Sequence, residues 1–303
     1  MPIKRLTPMR PALSSGEVRA HLRQIDGHES GLIDNYLTAS QQDIEIQCER
    51  AIVAAQYRLI LPRFPAGSVT QTSRQPFETD QYQCHTDGSA ILLQMCPVLS
   101  VTSIAYYDAD NALQSYTDFN LFTDEQPGLI RQELGTFWPS TYRRADAVTI
   151  TFWAGSIIPL SVNVTTDVFT SLTGYEFADD DPVVLSKSGN SNCAIGDVAA
   201  LPSGIEENTT YYVVSSNGTT FQLAATVGGA AVSLGNPSAS GQSIDLLFAG
   251  QIEPYHRLAL LQMTAKAFGE RCPQGGCVCS ADDFESYPML RRLKWRSPVE
   301  FVG

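Results

Sequence analysis

A long stripe of apolar and small residues near the start of the chain limits the fold more than any other feature. Its members are Ile33, Leu37, Ser40, Ile44, Cys48, Ala51 and Ala55. They recur at steps of three and four, the spacing of one helix face, over about six turns. The opposite face carries Gln41, Asp43, Glu45, Glu49 and Arg50. So long and thin a stripe predicts a helix that packs on a sheet and often also on a neighbouring subunit.

Two further helices are predicted. The segment 14–17 (Ser-Ser-Gly-Glu) has capping-box spacing and starts a short helix, which turn residues at 26–30 separate from the long one. Pro254 fits the first position of a third helix, and Pro273 stops it. We expect the inner faces of the long and third helices to form the core and subunit contacts, through Ile33, Leu37, Ile44, Cys48, Leu258, Leu261 and Phe268.

Short strand signals follow the long helix. They lie at 56–64, 90–93, 100–107, 119–122, 128–131 and 148–153. A hairpin turn is predicted at 108–111, where Asp-Ala-Asp-Asn separates two apolar runs. These signals predict a small antiparallel sheet.

The composition changes at residue 156. Between 156 and 249 there are nine acidic residues and one basic residue, so this segment carries −8 of the total net charge of −12. Strand signals at 161–166, 182–185, 210–215, 220–224, 230–234 and 243–248 predict a small all-β module. Helical sequence resumes at Pro254, which indicates an inserted domain. We therefore expect an interrupted core domain at 1–155 and 250–281, an acidic β insert at 156–249, and a C-terminal arm at 282–303.

The C-terminal arm is basic and aromatic. Its candidate docking residues are Arg291, Arg292, Lys294, Trp295, Arg296 and Phe301. Such a segment is poor core material and suits a partner's groove or sheet edge.

Catalytic and metal-binding patterns are weak. The cluster of Cys272, Cys277 and Cys279 lacks the second pair of a structural zinc site. Free thiols, a disulfide and a metal site stay open for it, with free thiols favoured. Three consecutive acids, 179–181, lack EF-hand spacing and are interpreted as a solvated turn. His256 is assigned to solvent or an interface. We expect no enzyme activity, no cofactor and no bound metal.

Charge and hydropathy exclude two further classes. A net charge of −12 argues against a DNA-gripping surface, although it permits DNA to pass without sticking. No apolar run approaches the roughly 20 residues that span a membrane. The N-terminus lacks a signal-peptide core, so synthesis in the cytoplasm is expected.

The segments outside the insert resemble the head–tail adaptor (connector) family of long-tailed bacteriophages. The resemblance rests on residues 13–23, 59–65, 97–110, 137–139, 147–152 and 254–271, in order over roughly 1–155 and 250–290. The insert is extra to the family, as is the cysteine loop. The insert itself resembles a small β module of phage virion proteins, through 181–185, 201–205 and 209–223.

The resemblance implies a fold and a function. The fold is α+β: a helical adaptor core with a small antiparallel sheet, plus an inserted all-β domain. The function is a ring in the virion neck, of twelve copies in the family, which joins the portal to stopper or tail proteins around the DNA channel. The family also implies that the arm docks on the portal, with Trp295 and Phe301 as anchors.

Two alternatives are kept. The insert could bind carbohydrate or a receptor through Tyr211, Tyr212 and Phe221, since surface aromatic rings stack on sugars. The chain could also be a stopper or tail-completion ring, which differs from an adaptor only in its position and neighbours.

Overall fold

A computed structural model describes residues 3–22, 30–65, 90–123, 127–187, 201–207, 209–235 and 247–269. Within these ranges there are three helices: α1 (Ser15–Leu22), α2 (Ser30–Cys48) and α3 (Pro254–Gly269). None of these three is long and apolar enough to span a membrane. The described chain forms two compact units, one built around Gln56–Ala154 and the other joining Thr7–Ala55 to the residues from Gly155 onward.

The first unit contains two antiparallel sheets. The five-stranded sheet has the order β1-β2-β8-β4-β5, and the three-stranded sheet has the order β3-β7-β6. The strands are β1 (Ile3–Arg5), β2 (Ala55–Leu61), β3 (Ile91–Leu93), β4 (Val98–Tyr107), β5 (Leu113–Ser115), β6 (Phe119–Phe122), β7 (Gly128–Gln132) and β8 (Val148–Ala154). Along β8 the inward residues Val148, Ile150 and Phe152 are fully buried, as the predicted strand at 148–153 requires.

The predicted hairpin turn at 108–111 is confirmed. The Asp108 carboxylate accepts hydrogen bonds from the N–H groups of Asp110 (3.0 Å) and Ala112 (2.9 Å). This local turn chemistry joins β4 to β5, with Tyr107 opposite Leu113. The same hydrogen bonds stabilise the charged carboxylate and hold the pKa of Asp108 below its usual value.

The second unit contains a closed antiparallel barrel of six strands in the order β10-β13-β12-β11-β14-β9. The strands are β9 (Ile158–Asn163), β10 (Val168–Ser171), β11 (Pro182–Lys187), β12 (Thr210–Val214), β13 (Thr220–Ala224) and β14 (Leu247–Ala249). Phe169, Phe221 and Phe248 are fully buried large side chains of these strands. Closure removes the exposed sheet edges that an open sheet of short strands would carry.

The predicted fold class is wrong. The described chain is mostly β, with three sheets and only three helices, and it is not a helical adaptor core that carries an inserted β domain. The helices share one hydrophobic core with barrel residues, in which Leu37 of α2 and Leu260 of α3 cluster with Phe248 of β14. The apolar periodicity correctly located the helices, but it did not show that they pack against the β-barrel.

The long helix is also shorter than predicted. α2 ends at Cys48, Glu49 adopts a left-handed conformation (φ +52°), and β2 begins at Ala55. Ala51 and Ala55 are buried, but they lie in the connection and the strand. A buried irregular segment therefore continued the helical pattern past the end of the helix.

Two polar residues assigned to the outer face of this helix are buried. The Gln41 side chain accepts a hydrogen bond from Ala12 N–H (2.9 Å) and donates to the Arg10 carbonyl (3.0 Å) and the Glu45 carboxylate (3.1 Å). Glu45 Oε1 also accepts from the N–H groups of Ile52 (3.0 Å) and Val53 (3.4 Å). These two side chains therefore tie the chain before α1 and the connection after α2 to the helix itself.

Gly155 lies where two backbone segments meet. Val53 pairs with Ile157 in a parallel bridge, and Ala54 N–H donates to the Ile157 carbonyl (2.7 Å). A Cβ atom on Gly155 would overlap the backbone of Ala54, and its φ of +153° is one that other residues rarely adopt. Glycine is therefore required here.

We predict that Glu45→Ala destabilises the second unit, because it leaves two buried backbone N–H groups without their acceptor. The expected loss in free energy of unfolding is about 1–3 kcal/mol for each such group. Urea denaturation measures it. The matched control is Gln47→Ala, an exposed position on the same helix, which should stay within about 0.5 kcal/mol of the parent. Equal effects of the two variants would contradict the role given to Glu45.

We predict that Gly155→Ala lowers the free energy of unfolding by more than about 3 kcal/mol, because backbone strain and overlap add. Gly31→Ala is the control, since a Cβ at Gly31 meets nothing within 4 Å. That change should be neutral or stabilising by up to about 1 kcal/mol, because alanine is the better helix former. A folded Gly155→Ala protein of parental stability would refute the close approach.

Candidate functional site

Large apolar side chains that remain exposed are the main surface feature of the described chain. They are Leu113, Phe122, Leu134, Phe137 and Tyr142 in the first unit, and Leu32, Ile46, Val227, Tyr255 and Leu258 in the second. Scattered exposed apolar residues are ordinary, whereas grouped ones mark interaction sites. Two groups of exposed apolar residues, one in each unit, are therefore candidate interaction sites.

The first group is the apolar knob, formed by Leu134 and Phe137 in the loop after β7. Leu134 is 99% exposed and Phe137 is 83% exposed. The loop between them is ordered: Thr136 donates to the Glu133 carbonyl through its N–H (3.0 Å) and its hydroxyl (2.7 Å). Gly135 supplies the left-handed conformation of the turn (φ +89°). The fold thus presents two apolar side chains on a fixed turn.

An aromatic cluster anchors the end of the knob. Trp138 stacks on Phe64, with ring centroids 4.8 Å apart and an interplanar angle of 8°, and it lies 5.0 Å from the Tyr116 ring. The Tyr116 hydroxyl lies 3.5 Å from the Thr136 hydroxyl. Such aromatic pairs add about 0.5–1.5 kcal/mol each beyond simple burial. The two exposed side chains of the knob are therefore followed directly by a packed aromatic cluster.

The second group is the outer seam of α2, formed by Leu32, Asn35, Ala39, Gln42 and Ile46. All five are exposed, and their spacing of three and four places them on one helix face. Ile46 is 62% exposed. The seam carries no charge, and α2 contains no Lys or Arg. An uncharged helix stripe in water is typical of a surface that another helix or loop covers.

Two carboxylates flank the outer seam. Asp34 and Asp43 are both exposed, and partial burial raises the pKa of each. For Asp34 the charge of Arg19 acts in the opposite direction on the pKa. The seam is therefore neutral along its length and acidic at its rim.

The predicted core and subunit face divides between interior and surface. Ile33, Leu37, Ile44 and Cys48 are fully buried, and Phe268 is buried against Tyr36. Leu261 is half-buried and Leu258 is exposed. The four α2 residues belong to the core of their own unit, so the seam available to a neighbour lies on the opposite side of the helix.

The three aromatic residues proposed as a ligand face of the insert do not share a surface. Tyr211 and Phe221 are buried in the barrel, whereas Tyr212 is half-buried. Phe221 stacks on Phe169 with centroids 5.7 Å apart, and the Tyr211 hydroxyl accepts from Glu206 N–H (3.0 Å). Strand alternation turns neighbouring side chains to opposite faces, so the sheet separates Tyr211 from Tyr212.

The acidic run at 179–181 has a structural use. Asp179 accepts from Ser216 N–H (2.8 Å), Asp180 from Gly228 N–H (3.0 Å) and Asp181 from Ala178 N–H (2.8 Å). Each carboxylate thus satisfies a backbone donor in a barrel turn. Among the described residues, no group of three His, Cys, Asp or Glu is arranged to hold a metal ion.

His256 is buried on α3, whereas the sequence suggested a solvated or interface role. Its Nδ1 lies 3.6 Å from a carboxylate oxygen of Glu253, which in turn lies 3.7 Å from Arg50 Nη1. Burial lowers the pKa of His256, Glu253 acts to raise it, and the positive charge of Arg50 acts to lower it. The next residue, Arg257, forms an ion pair with Glu17 of α1. The Ser14 hydroxyl caps α1 by accepting from Glu17 N–H (3.1 Å), as the capping-box spacing predicted.

Several predicted site residues lie outside the described ranges. They are Arg291, Arg292, Lys294, Trp295, Arg296 and Phe301 of the C-terminal arm, together with Cys272, Cys277 and Cys279. Their roles stay predictions from the sequence.

Sequence reasoning missed the surfaces that the structure groups. Leu134 and Phe137 flank Gly135 and Thr136 in the loop after β7, and two large apolar residues beside a turn glycine could have singled them out. The outer seam had a signal too, since its heptad spacing is readable beside the stronger core stripe. Gln41 and Glu45 gave no signal, because an isolated Gln or Glu on a helix is normally solvated.

No family model matches the sequence, and no curated protein is recognisably similar to it. Among solved structures, a chain from the neck of an empty gene transfer agent (GTA) particle, computed with C6 symmetry, is 23% identical over 52% of this chain and 72% of that chain, with a TM-score of 0.39. Chains from the virion of a native GTA particle and from its neck, computed with C12 symmetry, are each 14% identical over 99% of this chain and 98% of those chains. Their TM-scores are 0.49 and 0.44, so these likenesses do not define the fold.

We predict that acid destabilises the second unit through His256. Its folded-state pKa lies below the ordinary 6.5, so the unfolded chain binds the proton first as the pH falls. The contribution of neutral His256 to the free energy of unfolding is therefore complete above about pH 6.5, and it is lost as the pH falls through the folded-state pKa of His256. Urea denaturation between pH 7.5 and 5.5 measures the loss.

His256→Phe should flatten this pH dependence, because an apolar ring fills the site and does not titrate. His21→Gln is the control, since His21 is exposed on α1 and its replacement should leave the profile unchanged. A profile that His256→Phe leaves as steep as in the parent would assign the acid sensitivity to other groups.

Proposed function

We propose that the protein is a structural subunit of the neck of a phage-like particle, and within it a head–tail adaptor that forms a ring under the portal. The observation that carries the proposal is the grouped apolar surface on both units, the knob in one and the outer seam in the other. A subunit that stays single would expose both groups to water at a cost of roughly 25 cal/mol per Å².

The kind of assembly is inferred from the sequence. Segments similar to head–tail adaptors follow one another in order over roughly 1–155 and 250–290. A structural role also agrees with the described polar groups, since the barrel acids and the Gln41–Glu45 pair serve the backbone.

In this proposal the ring binds the portal on one side and stopper or tail proteins on the other. The arm at 282–303 attaches to the portal, with Trp295 and Phe301 as anchors, because aromatic residues beside cations are typical of docking segments. Genomic DNA passes through the channel without sequence recognition. The net charge of −12 keeps contact with phosphates weak, so the DNA does not adhere.

The alternative of a carbohydrate- or receptor-binding protein loses its support. It needed Tyr211, Tyr212 and Phe221 on one surface, and two of these are interior side chains. A stopper or tail-completion ring differs from the adaptor in its neighbours, so the binding partner decides between them.

We predict that the chain binds the portal protein of its own particle and that deletion of residues 282–303 abolishes this binding. Mass photometry of the chain alone, and mixed with the portal, measures both assembly and binding. Trp295→Ala should weaken binding by about tenfold or more, as truncation of a central aromatic anchor does.

Tyr212→Ala is the matched control, because Tyr212 lies on the barrel and has no part in the docking arm. It should bind the portal as the parent does. A chain that neither assembles nor binds the portal in the mixture would overturn the proposed function. Binding that survives the deletion would remove the arm from the contact while leaving the adaptor role intact.

A further inference from the structure

One face of the five-stranded sheet carries positive charge and no negative charge. The five strands contain Lys4, Arg5 and Arg58 but no Asp or Glu, although the whole chain has a net charge of −12. Tyr57 of β2 stacks on Phe152 of β8 with ring centroids 5.9 Å apart, so the buried residues of these two strands share the inner face. The residues that alternate with them therefore share the outer face.

The outer face is polar where it is exposed. Ser103 lies opposite Thr151, which alternates with the buried residues of β8, and Gln56 donates to the Thr102 hydroxyl (3.5 Å). Within β1, β2, β4 and β8 the exposed residues are Lys4, Arg58, Thr102 and Ser103. The exposed part of these strands thus presents two cations and two hydroxyl groups, and no aromatic or aliphatic side chain.

The two cations lie directly opposite each other, because Lys4 of β1 pairs with Arg58 of β2. Like charges at such a position destabilise a strand pair, whereas opposite charges stabilise it. No ion pair to either cation occurs in the part of the chain that the structure describes. A local arrangement that lowers stability without a structural gain is typical of a functional surface.

We propose that the outer face of the five-stranded sheet contacts the phosphate backbone of double-stranded DNA. The inference rests on the proposed function, and it assigns the passing DNA to one surface of the chain. Lys, Arg, Ser, Thr and Gln side chains are among the usual donors to phosphate oxygens. Such contacts carry no sequence information, so they serve any DNA that passes.

Two other kinds of partner fit this face less well. The core of a protein interface is apolar and aromatic, and it is depleted in Lys and Ser. A single-stranded nucleic acid stacks its bases on aromatic side chains. The exposed residues of β1, β2, β4 and β8 include no such side chains, whereas a duplex backbone requires only cations and polar donors.

Two cations make the contact weak. Each neutralised phosphate contributes about −0.9 to the slope of log K against log salt, so two of them give about −1.8. The affinity should therefore fall about twelvefold between about 0.1 M and 0.4 M salt. A weak contact of this kind allows the DNA to slide, as the proposed channel requires.

Residue-resolved NMR detects a contact this weak. The full chain, deuterated and ¹⁵N-labelled, is titrated with a short mixed-sequence DNA duplex at about 0.1 M salt, where charges more than about 10 Å away are screened. We expect amide shift changes along β1, β2, β8 and the middle of β4, and a weaker response at higher salt. Shift changes confined to other segments would overturn the inference.

Arg58→Glu tests the like-charge pair. It should abolish the shift changes and raise the urea midpoint of unfolding, because the new carboxylate lies opposite Lys4. Arg143→Glu is the matched control, since Arg143 is exposed in the loop after β7 of the same unit and the change in net charge is identical. It should bind the duplex as the parent does. Equal losses in the two variants would overturn the inference.

A second variant and a second probe complete the test. Lys4→Gln leaves one cation, so the salt slope should change from about −1.8 to about −0.9, and an unchanged slope would contradict the contact. Poly-L-glutamate should not reproduce the shift changes made by the duplex. Equal changes with this probe would assign the face to an acidic protein surface and overturn the assignment to DNA.

Mass photometry with the portal separates this inference from the proposed function. A chain that binds the portal but shows no duplex-dependent shift changes would overturn the phosphate contact and leave the adaptor role standing. A chain that ignores the portal yet contacts the duplex through this face would support the contact and overturn the adaptor role.

Discussion

The carboxylate of Glu45 is the constraint on which the second unit depends. It accepts hydrogen bonds from the N–H groups of Ile52 and Val53 and from the side-chain amide of Gln41. The Gln41 side-chain oxygen in turn accepts a hydrogen bond from Ala12 N–H and so holds the chain before α1. A buried charge is tolerated only when its hydrogen bonds are satisfied, and buried backbone groups must likewise be paired. Since Val53 then bridges Ile157, the same carboxylate also sets where the chain enters the barrel.

The parts of the fold that the sequence predicted are those with local causes. The turn at Asp108 is stabilised within four residues by its own carboxylate, so its composition was sufficient to find it. The helix end was missed because its cause is not local. Ala51 continues the apolar spacing and is buried, but it is buried in an irregular connection that Glu45 stabilises from within α2. Apolar periodicity reports burial, and it does not distinguish a helix from a buried coil.

Apolar periodicity also does not distinguish a helix face in the core from one that contacts another subunit. The core stripe through Ile33 and Leu37 was predicted as both core and subunit contact, because one apolar face can serve either purpose. The structure assigns it to the core. The remaining surface of α2 then becomes informative, since a helix with one buried apolar face should be charged on the other, and this one is neutral at Asn35, Ala39 and Gln42.

The acidity of the barrel has a related origin in local structure. Asp179, Asp180 and Asp181 each accept a backbone N–H in a turn, so their negative charge follows from how the barrel stabilises its loops. Replacing these three Asp residues would leave their backbone N–H donors without acceptors. The negative charge is therefore difficult to remove without destabilising the barrel turns. A subunit with such a unit assembles with itself only if a copy's contact surface is neutral or positive where it meets that unit.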